Sequence, residues 1–384
     1  MNAAVPAYDL APLLGVIAVG TLLALIPIGW VWRRREGKAP ARRLQAFAWL
    51  VFFLAFDLVL FGAFTRLSDS GLGCPDWPGC YGHASPIGAS VHIAAAEAAV
   101  PTGAVTVTKA WVEMLHRYAA TAIGVLVIVL LVMAIREARR SCGRISVRWA
   151  LWTLLWICVQ GAFGALTVTL RLYPAIVTLH LLAGFGLLAL LAIQAEHYAP
   201  RALPLAPALR AGLIAVAALT VAQLALGGWV SSNYAVLACR DFPTCQGSWW
   251  PVMDPAEAFV VVRPLGESGG GSGYLPFAAL TAIHMAHRVG ALVRLPALVT
   301  LAWRLHAAGA ATRPWALGLL VVAAWQAASG LGNVLLGWPL AAALAHTGGA
   351  AALVVMLTVL LVRSAQRPVV TSTVGAGGSP ALVG

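Results

Sequence analysis

The stretch Glu113-Met114-Leu115-His116-Arg117, continued by YAATAIGVLVIVLLVMAI to Ile135, decides the fold of this chain. Its first five residues include a carboxylate, an imidazole and a guanidinium, and the remainder carries no charge. An apolar run of this length crosses a hydrocarbon core of roughly 30 Å as a helix. It must be helical because backbone polar groups in lipid have to be satisfied within the segment. The stretch therefore predicts a transmembrane helix with three ionisable side chains near one end.

Comparable apolar stretches recur along the chain. Hydrophobic residues make up 61% of the sequence and charged residues 10%, whereas soluble domains are about a quarter charged. The first span resembles a signal peptide in position, but no basic segment precedes it and a dense basic cluster follows it, so we interpret it as a retained helix. We predict an all-α integral membrane protein whose nine spans lie at residues 13–32, 44–64, 113–135, 149–169, 176–196, 211–231, 278–303, 314–336 and 339–363.

The basic residues indicate the orientation of these spans. One set of connections holds 17 of the 25 Lys and Arg residues, in the segments 33–43, 136–148, 201–210, 304–313 and 363–367. The positive-inside rule assigns these connections to the cytoplasm, which with nine spans puts the N-terminus outside and the C-terminus inside. The net charge of +12 therefore indicates topology and contact with anionic membrane lipids, and we predict no nucleic-acid partner.

The chain after its first span is a duplication. His116 has a counterpart in His287, 171 residues later, and His180 has one in His346, 166 residues later. We predict two pseudo-symmetric four-helix transmembrane bundles, and their common orientation follows because each spans the membrane an even number of times. The predicted parts are an extra N-terminal transmembrane helix with a basic cytoplasmic loop (1–43), half one (44–196), half two (211–363) and a disordered cytoplasmic tail (364–384).

Each half also carries the signature Cys-x-Asp-aromatic-Pro-x-Cys-x-Gly in a long outside loop. The two copies run over residues 74–82 and 239–247. Close cysteine pairs on the oxidising side of a membrane indicate disulfides, so we predict one bond between Cys74 and Cys80 and another between Cys239 and Cys245. A metal site is the alternative, although a five-residue gap without a nearby histidine pair fits zinc poorly.

Histidines inside a membrane are functional candidates by default. All four lie within about three turns of the outer end of their predicted helices, at similar depth. Two imidazoles that face each other across a bundle can supply both axial ligands of a haem iron, whereas another transition-metal site would want a third ligand, which does not recur in both halves. The pattern favours two bis-histidine haem sites, His116 with His180 and His287 with His346. A histidine that only bonds between helices is the alternative.

Arg117 and Arg288 directly follow the first histidine of each pair. At the outer membrane interface a planar guanidinium suits the carboxylates of haem propionates, and we predict these contacts. The alternative is that both side chains extend to lipid headgroups. The recurrence of the arginine at the same place in both halves favours the propionate contact.

The two halves differ at two ionisable positions. Glu113 corresponds to His284, and Asp57, near the middle of its span, corresponds to Ala222. A carboxylate beside a haem can relay protons, so we predict that half one is reactive and that half two holds a fixed electron-transfer haem. For Asp57 a helix-packing role and a proton path remain alternatives. His284 is a second candidate ligand, and we prefer His287 because it belongs to the repeated His-Arg pair.

Two motifs resemble those of bacterial haem A synthases. The first outside loop of that family is similar to residues 65–78, TRLSDSGLGCPDWP, and its second-helix motif is similar to residues 109–117, KAWVEMLHR. The resemblance covers roughly residues 44–363, and the extra first span departs from the family's eight-helix plan. It implies oxidation of the C8 methyl group of haem O to a formyl group, which gives haem A for terminal cytochrome oxidases.

The resemblance also implies roles for single residues and a cellular setting. His116 and His180 would hold the substrate haem O, with Glu113 as the catalytic acid, and His287 and His346 would ligate a resident haem b. The loop cysteines would form disulfides. The protein would lie in the bacterial inner membrane with its haem sites towards the periplasm. Haem O synthase, cytochrome oxidase assembly factors and a second copy of the chain would be its protein partners.

Two other functions fit the histidine pattern. One is a di-haem cytochrome b-type electron carrier or quinol oxidoreductase, and the other is a haem transporter without chemistry of its own. Neither has a particular need for a carboxylate in only one half. Glu113 therefore favours an oxidoreductase that acts on haem.

Overall fold

The computed structural model describes residues 9–33, 39–141, 145–263 and 275–366, and no β-strand lies within these ranges. A short 3-10 helix, Ala235–Ala238, lies in the second long loop. The α-helices are α1 (Ala11–Arg33), α2 (Pro40–Leu67), α3 (Ser90–Ala99), α4 (Val107–Arg140), α5 (Arg148–Thr169), α6 (Pro174–Tyr198), α7 (Pro207–Ser232), α8 (Pro255–Ala258), α9 (Phe277–Ala307), α10 (Arg313–Leu335) and α11 (Leu340–Ala365).

Nine of the described helices are long and apolar enough to cross a membrane, namely all except α3 and α8. This confirms the predicted all-α membrane architecture and its nine spans. Helix α4 extends past its predicted span at both ends, and the side chain of Thr106 caps its start by accepting the Lys109 N–H at 3.2 Å. Apart from residues 364–366, the predicted disordered tail lies outside the described residues.

The duplication is visible in how equivalent helices begin. Pro40 and Pro207 occupy the first turn of α2 and α7, where the missing proline N–H would have had no partner in the helix. The residues before them, Ala39 and Ala206, have the same backbone angles, φ −57° and ψ 144°. In the same way α4, α5 and α6 of half one correspond to α9, α10 and α11 of half two.

The halves meet along the central helices α6 and α11, with α7 packed on α6 and α2 packed on α11. One apolar core contains buried residues from α2, α4, α6 and α11, so it crosses the boundary between the halves. At the end that the charge pattern assigns to the outside (the outer end), Arg66 donates to the Ser231 carbonyl at 2.7 Å. These two residues occupy equivalent positions in the repeat. The contact therefore lies where the pseudo-symmetry axis passes between the halves.

Helix α1 breaks the symmetry because it packs on half one. A Cβ atom on Gly20 would lie 2.6 Å from the side chain of Thr121 in α4, and one on Gly15 would lie 2.4 Å from Ala84 in the first long loop. Such close approach is how transmembrane helices associate where lipid supplies no hydrophobic drive. Helix α1 is thus an added support for half one, placed against the helix that carries His116.

Candidate functional site

The structure brings the four predicted histidines together in two pairs. In half two the ring centroids of His287 on α9 and His346 on α11 are 6.5 Å apart, with the ring planes at 73°. In half one His116 on α4 and His180 on α6 lie close enough to interact electrostatically. Each histidine lies within the first three turns of its helix, so both pairs are at the outer end.

A glycine on a neighbouring helix faces each of the four imidazole rings. A Cβ atom at any of these glycines would lie 3.0 to 3.3 Å from the ring's Cε1 atom, tighter than ordinary packing, so a side chain there would press on the ring. Sequence reasoning missed the glycines on α2 and α7, although they repeat at the same offset as the cysteine loops. The pairs are Gly62 with His116, Gly164 with His180, Gly227 with His287 and Gly330 with His346.

These histidines fit a haem iron. Metal–imidazole bonds are about 2 Å long, so two such bonds and the two ring radii span about 6 Å, close to the 6.5 Å between His287 and His346. In half one the Nδ1 atoms of His116 and His180 are buried without a hydrogen-bond partner among the described residues. Among all the residues that the structure describes, no cluster of three or more His, Cys, Asp or Glu side chains could hold a metal ion. The donor set is therefore two imidazoles per site, as bis-histidine haem ligation requires.

The second histidine of each pair is held by a repeated glutamine. Gln160 on α5 donates to the His180 carbonyl at 3.0 Å, and Gln326 on α10 donates to the His346 carbonyl at 2.7 Å. Each bond ties the helix that carries the histidine to its neighbour at the level of the imidazole ring. The repeated Gln-x-x-x-Gly segment thus combines a backbone anchor with the glycine that faces the ring.

The two cysteine signatures form matching loops closed by disulfides, as the sequence predicted. The Cα atoms of Cys74 and Cys80 are 4.9 Å apart and those of Cys239 and Cys245 are 4.8 Å apart. In the first loop the Asp76 carboxylate accepts the N–H groups of residues 81 and 82, and Asp241 accepts the equivalent N–H groups in the second. The last glycine of each signature has a positive φ, 72° and 73°, which glycine adopts without strain. The cysteines, the aspartate and the last glycine of the signature therefore each have a role in forming the loop.

The charged state of the second loop's aspartate is strongly favoured. The Thr244 hydroxyl and the Gly247 N–H, which both donate to Asp241, lower the pKa of that carboxyl to about 2. Because the pKa is lower in the folded loop than in an unfolded chain, the charged carboxyl stabilises the loop above the ordinary aspartate range, and this contribution is lost progressively as the pH falls from that range to about 2. At physiological pH the loop therefore keeps its shape.

Arg117 and Arg288 hold these loops over the histidines. Arg117 donates to the Asp76 carbonyl at 2.9 Å, and Arg288 donates to the carbonyls of Asp241 and Thr244, both at 2.8 Å. Position in the sequence suggested propionates or lipid headgroups as partners, and the structure adds a third role, the anchoring of loop carbonyls. The Nε atom of Arg288 is buried without a partner in the described part of the chain.

Glu113 is buried between α4 and the first disulfide loop. Its carboxylate accepts the Cys74 N–H at 2.8 Å and forms an ion pair with Arg117. In half two the ring of His284 is buried, and its Nδ1 atom lies 3.1 Å from the carbonyl oxygen of Ala235. Both side chains therefore contact the loop of their own half, but only Glu113 places a carboxylate there, one turn from the histidine that follows it.

Asp57 lies on the same side of α2 as Phe61, one turn further from the outer end. The ring of Phe61 contacts the His116 ring edge-to-face, with centroids 5.7 Å apart. Asp57 is exposed and makes no hydrogen bond or ion pair with the described residues. This gives no support to a helix-packing role for the carboxylate.

Three polar side chains near the half-two histidines were not found from the sequence. In half one, apolar residues stand at the equivalent positions. The sequence signal that could have revealed them is a polar residue in half two opposite an apolar residue in half one, since polar residues are rare within apolar helices. The three, with their half-one counterparts, are Gln223 with Leu58, Arg294 with Ile123 and Ser329 with Phe163.

Comparison with known proteins agrees with this architecture. The model of the COX15-CtaA family of cytochrome oxidase assembly proteins matches residues 45–358. A haem A synthase of Shewanella oneidensis is 38% identical over 81% of this chain and 93% of that protein. Haem A synthases of Halalkalibacterium halodurans and Methylorubrum extorquens are 28% and 29% identical, over 69% and 87% of this chain and 77% and 90% of their own lengths. The chain therefore belongs to the COX15-CtaA family of cytochrome oxidase assembly proteins.

Proposed function

We propose that this chain is a haem A synthase, which oxidises the C8 methyl group of haem O to a formyl group and so supplies haem A for a terminal cytochrome oxidase. The observation that carries the proposal is the arrangement of two histidine pairs in which, among the described residues, one pair alone has a buried carboxylate, Glu113, beside it. Membership of the family and the activity named for its relatives support the same reaction.

The two halves divide the work. His116 and His180 hold the substrate haem O, and His287 and His346 hold a resident haem b. The glycines that face all four rings and the 6.5 Å spacing in half two support this assignment. When bound, haem b supplies one-electron transfer. Packing of α6 against α11 brings the helices that carry one ligand of each pair into direct contact.

Glu113 is the proposed catalytic acid. Conversion of a methyl to a formyl group adds one oxygen atom and removes two hydrogen atoms, so protons must move at a site covered by the disulfide loop. The Glu113 carboxylate is buried, one turn from His116, and the Cys74 N–H fixes its orientation. A carboxylate in that position can hold or pass on a proton, while Arg117 balances its negative charge.

Arg117 and Arg288 are the proposed partners of the haem propionates. A guanidinium has five N–H donors, more than the loop carbonyls use in either half, and the Nε of Arg288 is unpaired within the described residues. Each arginine therefore joins three elements: the helix with the first histidine, the disulfide loop and a propionate.

The proposed location is the bacterial inner membrane, with the N-terminus and both haem sites on the periplasmic side. The histidines lie at the ends of their helices opposite the basic clusters, which the positive-inside rule assigns to the cytoplasm. Membrane lipids contact the outer surface. Haem O synthase as supplier of the substrate, cytochrome oxidase assembly factors and a second copy of the chain are the proposed partners.

Haem extraction from the purified protein tests the proposed function. Separation of the extract by HPLC is expected to give haem B together with haem O or haem A. Haem B alone, in two equivalents, would overturn the proposal and identify a di-haem electron carrier. Protein without bound haem would overturn both interpretations.

The role of Glu113 is tested by Glu113→Gln. Glutamine keeps an oxygen that accepts the Cys74 N–H but cannot carry the proton, so we expect unchanged haem content and haem A formation reduced about 100- to 10,000-fold. Glu97→Gln is the matched control, because the Glu97 carboxylate accepts the Val107 N–H at 3.1 Å and lies on α3, outside the site. Normal product formation by Glu113→Gln would remove Glu113 from the mechanism.

A further inference from the structure

Ser329 fixes the orientation of one half-two ligand. Its hydroxyl donates to the Trp325 carbonyl one turn earlier in α10, at 2.7 Å, and its oxygen lies 3.0 Å from Nδ1 of His346. A hydroxyl has one proton to donate, and the carbonyl takes it. The oxygen must therefore accept from the ring, which places the imidazole proton on Nδ1 and leaves the Nε2 lone pair for a metal.

Gln223 contacts the other half-two ligand in a different way. Its side-chain amide on α7 lies 3.0 Å from Nδ1 of His287 and also donates to the His287 carbonyl at 2.9 Å. Its Oε1 atom is buried without a partner among the described residues. Gln223 therefore holds His287 through its backbone carbonyl, and the same amide N–H group faces the ring nitrogens.

Half one has no such contacts on its ligands. The counterparts of Gln223 and Ser329 are Leu58 and Phe163, whose side chains have no hydrogen-bonding atom. The Nδ1 atoms of both half-one histidines are accordingly buried without a partner in the part of the chain that the structure describes. The halves thus have the same ligands but differ in whether hydrogen bonds hold the rings.

We propose that Gln223 and Ser329 are positioning residues that make half two the site of tight haem retention, and that their absence from half one allows haem to be exchanged there. Outer-sphere partners of metal-bound histidine fix the ring and raise its basicity, and loss of one typically costs 10- to 100-fold in metal affinity. A resident cofactor needs that affinity, whereas a substrate that must leave as product does not. This inference rests on the proposed function, which assigns haem b to half two.

The first test removes each contact in the full-length, haem-loaded protein. For Ser329→Ala and Gln223→Leu, transfer of haem to excess apomyoglobin is expected to be about 10- to 100-fold faster from half two. In Ser329→Ala the midpoint potential of that haem is also expected to rise, because an imidazole that has lost the acceptor on Nδ1 is less basic and stabilises the oxidised iron less. Ser329→Thr keeps the hydroxyl and should retain wild-type behaviour. Thr347→Ala is the control, since this neighbouring hydroxyl bonds to Ala343 within α11.

The second test adds a contact to half one. Phe163→Ser offers the ring of His180 the hydroxyl that His346 has, so slower haem release from half one is expected, with half two unchanged. This variant leaves Ser329 intact and therefore stays informative if Ser329→Ala fails to fold. His346→Ala, which removes one half-two ligand, identifies which haem signal belongs to that half.

The outcomes separate this inference from the proposed function. Wild-type release rates in both Ser329→Ala and Gln223→Leu, with a wild-type potential in Ser329→Ala, would overturn the positioning role, even if the protein makes haem A. Release from half one unchanged in Phe163→Ser would also count against it. Haem B alone in the wild-type extract would instead overturn the proposed function, while the effect of the hydrogen bonds on retention would still be measured.

Discussion

Arg294 is a buried cation in the membrane-spanning part of α9, two turns beyond His287. It is 5% exposed, its Nε has no partner among the described residues, and Ile123 occupies the equivalent place in half one. The guanidinium stays protonated. Two unit charges about 10 Å apart, at an effective dielectric constant of about 20, interact with an energy on the order of 1–2 kcal/mol. For a one-electron couple this energy corresponds to a change of several tens of millivolts in the midpoint potential.

Arg294→Met is therefore expected to lower the midpoint potential of the half-two haem by several tens of millivolts, because loss of a positive charge stabilises the oxidised iron. Potentiometric titration followed by absorbance measures it. Arg294→Lys keeps the charge and should retain most of the potential, and Ile123→Met should leave the half-two haem unaffected. An unchanged potential in Arg294→Met would show that the cation does not act on that haem.

Residues that repeat were predictable from the sequence, and residues that act by contact across helices were not. The histidines and cysteines were found because equal offsets survive in a one-dimensional comparison. Gln223 lies 64 residues from His287 and Ser329 lies 17 from His346, so neither contact can be inferred from spacing. The propionate contact of Arg117 stays a prediction, whereas its bonds to a loop about 40 residues earlier are seen only in the folded chain.

At the scale of helices, α1 offers a test of how it supports half one. Gly20→Ala would place a Cβ 2.6 Å from Thr121, so we expect α1 to shift away from α4 and the free energy of unfolding to fall by about 1–3 kcal/mol. Gly29 in the same helix has no atom within 4 Å of such a Cβ, so Gly29→Ala should be neutral or stabilising, since alanine is the better helix former. Thermal unfolding in detergent compares the two variants. Equal behaviour would contradict the packing of α1.

Hydropathy predicted the existence of the spans better than their ends. It detects the part of a helix that lies in lipid, whereas α4 continues from Val107 to Arg140, beyond the predicted 113–135. A polar cap at Thr106 and a basic last turn extend it into water, where hydropathy carries no signal. The short helix α3 was not predicted, because its ten residues, half of them alanine, are too few to span a bilayer.

At the scale of the whole molecule, contacts at both ends of the bundle join the halves. At the outer end Arg66 contacts Ser231 and stacks on Tyr234, 4.1 Å from the ring centroid. At the inner end Glu196 of α6 and Arg363 of α11 form a two-pronged ion pair, with N–O distances of 2.7 and 2.8 Å. The two histidine pairs therefore lie in bundles that are joined at both ends of the shared core.

The ion pair at the inner end should be required for stability. The Glu196 side chain is 1% exposed and that of Arg363 is 18% exposed. Removal of one partner from a buried pair costs about 3–5 kcal/mol because the other charge is left uncompensated, so Glu196→Ala is expected to lower the unfolding free energy by about 3 kcal/mol, given the partial exposure of Arg363. Replacement of both residues by leucine should restore much of the loss.

The exposed pair between Lys109 and Asp69, whose side chain is 62% exposed, provides the comparison. Asp69→Asn removes the charge at a position whose φ of 52° asparagine tolerates, and it should cost less than about 1 kcal/mol. Because Glu196 joins the halves rather than serving one site, its loss should reduce haem retention in both halves together, unlike Ser329→Ala. Thermal unfolding combined with haem release measures both effects. A cost for Glu196→Ala no larger than that for Asp69→Asn would contradict the stabilising role of the ion pair at the inner end.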